Sequence, residues 1–300
     1  MKDHMSIPEF YQRFPTEEAC GEFIAQERWD GQVTCPRCGC HKVYKVAGAM
    51  GFKCGGCRKR FSVRTGTVME CSRLPLQTWL LAIYMMTTAR KGISSVQFAK
   101  ELGVCQKTAW FLQHRIREAC DARRNLLTGE VEVDEAYLGG KECNKHADKK
   151  QRRGRGPVGK QAVVGLRERA GAVHAMPVEG TDKATLHGVI AEHVDREATI
   201  YTDEYAGYRD LPYEHETVCH SAGEYVNSQA STNGIESFWA LLKRAWVGTH
   251  HWWSTGHCFR YVAEYVHRHN TIGLSGEAAI SVMLRQSVDK RLTYAALIGA

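Results

Sequence analysis

The chain has 300 residues, of which 43% are hydrophobic and 24% charged, with a formal net charge of +7. That size allows two domains, or one larger domain with small appendages, in an ordinary soluble globular protein, and the basic excess favours an anionic partner. No segment approaches the ~20 apolar residues of a membrane span and "MKDHMSIPEF" has no apolar signal core, so a cytoplasmic location without membrane partners is expected, with the twelve cysteines as thiols or metal ligands rather than disulfides.

In chain order, residues 1–32 are expected as a helical segment and residues 33–70 as a small metal-stapled module. Within the latter, "CPRC" (Cys35, Cys38) and "CGGC" (Cys54, Cys57) are separated by fifteen residues. Two tight turns that each offer two thiolates can close a tetrahedral zinc site with Zn–S distances of about 2.3 Å. Gly39, Gly55 and Gly56 let the backbone curl its amides toward the sulfurs. Cys40 is a nearby spare. Arg37, His41, Lys42, Lys53, Arg58, Lys59 and Arg60 decorate the module and suit phosphate contact, although protein-binding ribbons are basic too.

Residues 71–125 read as helical. "LPLQTWLLAIYMMTTARKG" is apolar all round and belongs in a core. "SSVQFAKELGVCQKTAWFLQHRIREA" splits at Gly103, with Ser94 or Ser95 as N-cap of the first piece. As a helix-turn-helix, its second helix presents Gln106, Lys107, Thr108 and Gln113 outward to DNA; an ordinary αα-hairpin gives the same pattern.

Residues 126–300 alternate strand and helix signals. "VEVDEAYLGG" puts Glu132 and Asp134 on one strand face, with Asp134 near the strand's C-terminal end. "KECNKHADKKQRRGRGPVGK" carries eight Lys or Arg against Glu142 and Asp148 and reads as a loop. It is either a solvated linker or a phosphate-contacting segment built on Lys149, Lys150, Arg152, Arg153 and Arg155. "QAVVGLRERAGAVHAMPV" gives two strands turning at Gly171. A helix near "KATLHGVIAEHV" and strands in "ATIYTDEYAGY" and "HETVCHS" follow, with Asp203 just beyond the first of these strands. "IESFWALLKRAW" is an amphipathic helix with Ile235, Phe238, Trp239, Leu242 and Trp246 inward. Glu236 and Lys243 lie seven residues apart on its margin, within roughly 20° of each other and about 10 Å apart along the axis. The His-rich C-terminal stretch is expected as helix and loop packing.

Two acidic strand ends followed by a helix with a carboxylate in its first turn can converge on a pair of divalent cations. Mg²⁺ prefers carboxylate oxygen, and two such ions about 3.5–4 Å apart suit phosphodiester displacement. Lys243 then points toward substrate phosphate.

The blocks "FPTEEAC", "CPRCG…CGGCRKRFSVRTGT", "KGISSVQFAKELGVCQKTAW", "VEVDEAYLGGKE", "YTDEYAGY", "TNGIESFWALLKR" and "RYVAEYVHRHN", in this order, cover nearly the whole chain. It resembles the DDE transposases of bacterial insertion sequences, in the group with an N-terminal zinc ribbon. The resemblance implies an α/β fold: a ribonuclease-H-like core, with a mixed sheet flanked by helices, preceded by the ribbon and the helix-turn-helix region. It implies that Asp134, Asp203 and Glu236 bind two Mg²⁺ ions, with Mn²⁺ as an alternative, and that zinc on Cys35, Cys38, Cys54 and Cys57 is structural. Asn233 rivals Glu236 as third ligand, and the spacing to Lys243 favours Glu236. His220 resembles a position near the active site. The implied partners are double-stranded DNA, as terminal inverted repeats and target, and a second copy of the chain in a dimer or higher oligomer. Water would attack at the element's 3′ end and the freed 3′-hydroxyl would attack target DNA, with no covalent enzyme–DNA intermediate. A nuclease or junction resolvase on the same core, and a catalytically inactive DNA-binding regulator, are the alternatives.

Overall fold

A computed structural model describes residues 5–46, 51–120, 125–140, 146, 148, 150, 158–169, 171–217 and 233–299. The chain divides into two compact units, residues 1–122 with 271–300, and residues 123–270. The sequence-based boundary gave everything from 126 to 300 to one domain. The last 30 residues instead join the first unit, because their apolar side chains pack on its helices.

In the first unit, helix α1 (Ile7–Arg13) is started by a reciprocal Ser6–Glu9 capping box and α2 (Glu17–Trp29) by the Thr16 hydroxyl. A three-stranded antiparallel sheet follows, β1 (Val43–Val46), β2 (Gly51–Cys54) and β3 (Arg60–Ser62) in that order. Helix α3 (Leu76–Thr88) buries nine side chains, as its continuous apolar sequence requires. Pro75 at its N-cap offers no side-chain acceptor, and Glu17 from α2 takes the Leu76 and Gln77 amides instead at 2.9 and 3.0 Å. Helices α4 (Ser95–Leu102) and α5 (Gln106–Cys120) meet at Gly103, whose φ of 66° is the left-handed corner. Helix α9 (Gly276–Gln286) buries Ile280, Met283 and Leu284 and packs on α2, α3 and α5, and a short α10 (Tyr294–Ile298) ends the chain.

The second unit holds a five-stranded mixed sheet of β4 (Glu130–Leu138), β5 (Gln161–Glu168), β6 (Val173–Val178), β7 (Thr199–Thr202) and β8 (Glu214–Thr217). Their order is β6-β5-β4-β7-β8, antiparallel across the first three strands and parallel from β4 to β8. Strand alternation sorts two cores. Val131, Val133, Val164, Leu166 and Ile200 face Leu186 and Ile190 of α6 (Lys183–His193). Ala136, Leu138 and Val163 face Ile235, Phe238, Trp239 and Leu242 of α7 (Asn233–Ala245), with Tyr261, Val262, Tyr265 and Val266 of α8 (Thr255–Thr271). This mixed sheet flanked by helices is consistent with a ribonuclease-H-like core. Among the described residues no helix is long and apolar enough to cross a membrane.

Candidate active site

β4 does not stop near Asp134. It runs on to Leu138, paired with β5 throughout, which places Asp134 mid-strand beneath α7. On its other edge β4 pairs with β7 in parallel, Glu132 opposite Tyr201. Two residues further along that register stands Asp203, directly after β7 ends, so the sheet itself sets Asp203 beside Asp134. Glu236, exposed in the first turn of α7, is near enough for its charge to act on Asp134.

Each oxygen of Asp134 already accepts one hydrogen bond. Oδ1 takes the Glu135 amide at 2.8 Å, and Oδ2 takes the Trp239 indole N–H at 3.0 Å. Burial is the main cause that pushes its carboxyl up to about 6, the Asp203 and Glu236 charges push the same way, and the two donors oppose them. Asp203 in turn accepts the Tyr205 amide through Oδ1 at 3.0 Å. Asp203 and Glu236 thus both repel the half-buried Asp134 carboxylate, a repulsion that a bound divalent cation would relieve. They are less tightly drawn together than the cysteines. Among the described residues, the four-cysteine set is the one group of three or more metal-ligating side chains whose ligand atoms all lie within 4.8 Å.

Neighbouring acids serve other ends. Glu135 faces the opposite side of the sheet and accepts the Tyr208 hydroxyl at 2.6 Å; burial first, then Asp203 and Asp134, raise its carboxyl to about 7. Glu204 is exposed.

A glycine and an indole were not legible as parts of this site. Gly165 is the cross-strand partner of Asp134, and a Cβ there would stand 2.5 Å from the Trp239 ring and 2.9 Å from Ile235. Its bareness lets the indole lie over β5 and reach Asp134. A glycine inside the valine-rich "AVVGL" is the signal that marks such an approach. Gly165→Ala is expected to lower stability by about 1–3 kcal/mol through overpacking and to raise the metal requirement of any activity. Denaturant unfolding and metal titration of the purified variant check both, and an unchanged metal requirement removes Trp239 from the site.

In the first unit the four cysteines form a closed cluster. Sγ of Cys35 lies 3.8 Å from that of Cys57, and Cys38 lies 3.5 Å from Cys54. A tetrahedron with Zn–S bonds of about 2.3 Å has edges of about 3.8 Å, so the set fits a structural zinc ion. Backbone amides of Gly56 and Cys57 point at the Cys54 sulfur and that of Lys59 at Cys57. Trp29, Phe52 and Phe61 pack edge-to-face or stacked beneath it.

The expected DNA contacts are less uniform. Ser94 caps α4, and Lys107 is exposed on α5 with its ammonium 4.7 Å over the Tyr294 ring. Gln106 bonds Ser95 across the turn at 2.8 Å. Gln113 does not face outward. It is 1% exposed and donates to the Ile93 carbonyl at 2.9 Å, because its position on α5 falls on the buried stripe. Lys243 is exposed on α7, and Lys150 is exposed. Lys149, Arg152, Arg153, Arg155, His220 and the Asn233 side chain lie outside the described residues.

Residues 126–270 match the family described as the ISXO2-like transposase domain, and residues 15–60 match the transposase zinc-ribbon domain. Over 291 residues the chain is 30% identical to the "Uncharacterized protein in transposable element ISH50" of Halobacterium salinarum, which covers 92% of this chain and 98% of that one. Among solved structures, a chain of the simian T-cell lymphotropic virus intasome in complex with PP2A regulatory subunit B56 gamma is similar at 14% identity. It covers 63% of this chain and 65% of that one with a TM-score of 0.27.

Proposed function

The chain belongs to the insertion-sequence transposases that join a zinc ribbon to an ISXO2-like transposase domain, and we propose that it binds the terminal inverted repeats of its element and catalyses metal-dependent cleavage and strand transfer at their ends. The observation that supports this best is the β4–β7 register, which sets Asp203 beside Asp134 under a helix that carries Glu236.

In this reading Asp134, Asp203 and Glu236 hold two Mg²⁺ ions, and their mutual repulsion fits them to do so. Held by these residues, such a pair would supply activation of the attacking oxygen and stabilisation of the departing one in phosphodiester displacement. Asp134 keeps its orientation through the Trp239 and Glu135 donors, and each of its oxygens keeps lone-pair capacity for a metal. Lys243, two turns beyond Glu236 on the same margin, meets a phosphate of the bound strand. The α4–α5 pair with Lys107, the basic ribbon and the cations between residues 141 and 160 supply duplex binding, a phosphate-dominated and salt-dependent term. Joining requires two ends held together, so the active form is a dimer or higher oligomer on DNA.

The test is strand transfer in Mg²⁺ on DNA carrying the ends that flank the gene, for the wild type and Glu236→Gln. Joined products from the wild type and none from the variant, with end binding retained, are expected. Nicked products that are never joined would make the chain a resolvase-like nuclease. Joining by Glu236→Gln would move the third ligand elsewhere, Asn233 first. Binding by the wild type without cutting would make it a regulator.

A further inference from the structure

Glu132 is 3% exposed, on the strand that carries Asp134. Its Oε2 accepts the Ile235 amide at 2.8 Å, and its carboxylate also takes the Gly234 amide. These first-turn N–H groups have no partner within α7, so the sheet caps the helix. Such a carboxylate needs positive charge near it. Arg167 is its cross-strand partner, and Arg169 Nε stands 3.9 Å from Oε1. Arg169 is fixed in turn by Glu130 at 2.8 Å and by stacking 4.2 Å over the Tyr201 ring. Gly234 makes room for the arrangement, since a Cβ there would fall 1.5 Å from Arg167 Nη1 and 2.6 Å from Glu132 Oε2.

The apolar face of α7 fixes its distance from the sheet but leaves it free to slide or roll. The Glu132–Ile235 bond removes that freedom at one residue before Glu236, and the Trp239–Asp134 bond removes it one turn later. We infer that Glu132 is a positioning residue that locks α7 to β4 and thereby sets the separation of Asp134 and Glu236. It faces two arginines and the helix amides, so it orders the metal ligands without being one. The inference rests on reading those carboxylates as metal ligands.

The experiment uses the full-length, zinc-loaded chain as wild type, Asp134→Asn, Glu132→Leu and Glu132→Gln. Mn²⁺ affinity is measured by calorimetry, protection of the Ile235 amide by hydrogen exchange, and folding by thermal unfolding without Mn²⁺. Glu132→Leu is expected to fold and to bind Mn²⁺ roughly 10–100-fold more weakly, the usual effect of removing a group that orients metal ligands. The Ile235 amide should exchange faster, and Glu132→Gln, which keeps an acceptor oxygen, should recover most of both. A folded Glu132→Leu with wild-type Mn²⁺ affinity overturns the inference. Should Glu132→Leu not fold, Glu132→Gln decides: Mn²⁺ affinity within a few-fold of wild type with Ile235 still protected supports it, and a loss of Mn²⁺ affinity with Ile235 fully protected overturns it. Asp134→Asn binding Mn²⁺ as well as wild type would instead sink the carboxylate centre itself, and this inference with it.

Discussion

Asp134→Asn is expected to abolish end cleavage and strand transfer while leaving the metal-free chain no less stable at pH 8. On the proposed reading Asp134 would help to hold two cations, and losing several kcal/mol of their stabilisation corresponds to a loss of about 10³-fold or more. The stability half follows from sign. Burial, then Asp203 and Glu236, lift this carboxyl from 3.8 to about 6. Between those values the folded chain holds a proton that the unfolded chain has released. The contribution of Asp134 is therefore fully present below its unfolded value and is lost as pH rises through about 6. Asn removes that dependence, although it keeps an acceptor for only one of the Glu135 and Trp239 donors. In metal-free buffer the unfolding midpoint of the wild type should fall more steeply between pH 4 and pH 7 than that of the variant. Added Mg²⁺ should raise the midpoint of the wild type alone, since only the intact centre binds the ion in preference to the unfolded chain. Equal Mg²⁺ stabilisation of the two proteins, or strand transfer by the Asp134→Asn variant, would remove Asp134 from the centre.

Loss of zinc is the second large effect. Among the described residues the ribbon has a core of Phe61, Cys35 and Cys54 with partly buried neighbours such as Trp29, Val33, Val43 and Phe52, too little to hold three short strands unaided. Structural zinc in such modules supplies on the order of 10 kcal/mol. Cys54→Ser, or chelation of the wild type, is expected to unfold the ribbon and to abolish end binding, while Mn²⁺ binding at the carboxylates persists. Cys40→Ser serves as control, because Cys40 is outside the four-sulfur cluster. Elemental analysis should give one zinc per chain for the wild type and Cys40→Ser. A full equivalent held at normal affinity by Cys54→Ser would refute the ligand set.

Much of this was legible in the sequence because it is written in short-range patterns. The paired Cys-x-x-Cys turns, the Gly103 corner, the alternation of Val131 and Val133 with Glu132 and Asp134, and the stripe of α7 are all properties of a few neighbouring residues. What could not be read depends on which distant residue lies opposite. Glu132 shares a strand face with Asp134, as its parity requires, yet nothing in "VEVDE" says that it caps a helix about a hundred residues later. Gly165 has meaning only once Asp134 and Trp239 are known to meet across it. Gln113 looks like a DNA contact because it is polar, and its burial follows from its place on the buried stripe of α5. The C-terminal helix carried the periodicity of any amphipathic helix, with no local mark of which unit it would join.

That last helix has a temporal consequence. Among the described residues, β4 to β8, α6, α7 and all of α8 but Thr271 lie within residues 123–270, so during synthesis that unit can finish folding once its final residues leave the ribosome. The first unit cannot. Ile280, Met283 and Leu284 of α9 belong to its interior, packed with α2, α3 and α5, and they are made last. The part of the protein translated first is therefore completed last, and a chain released shortly after Asn270 would hold Asp134, Asp203 and Glu236 in a finished second unit while its first unit still lacked α9.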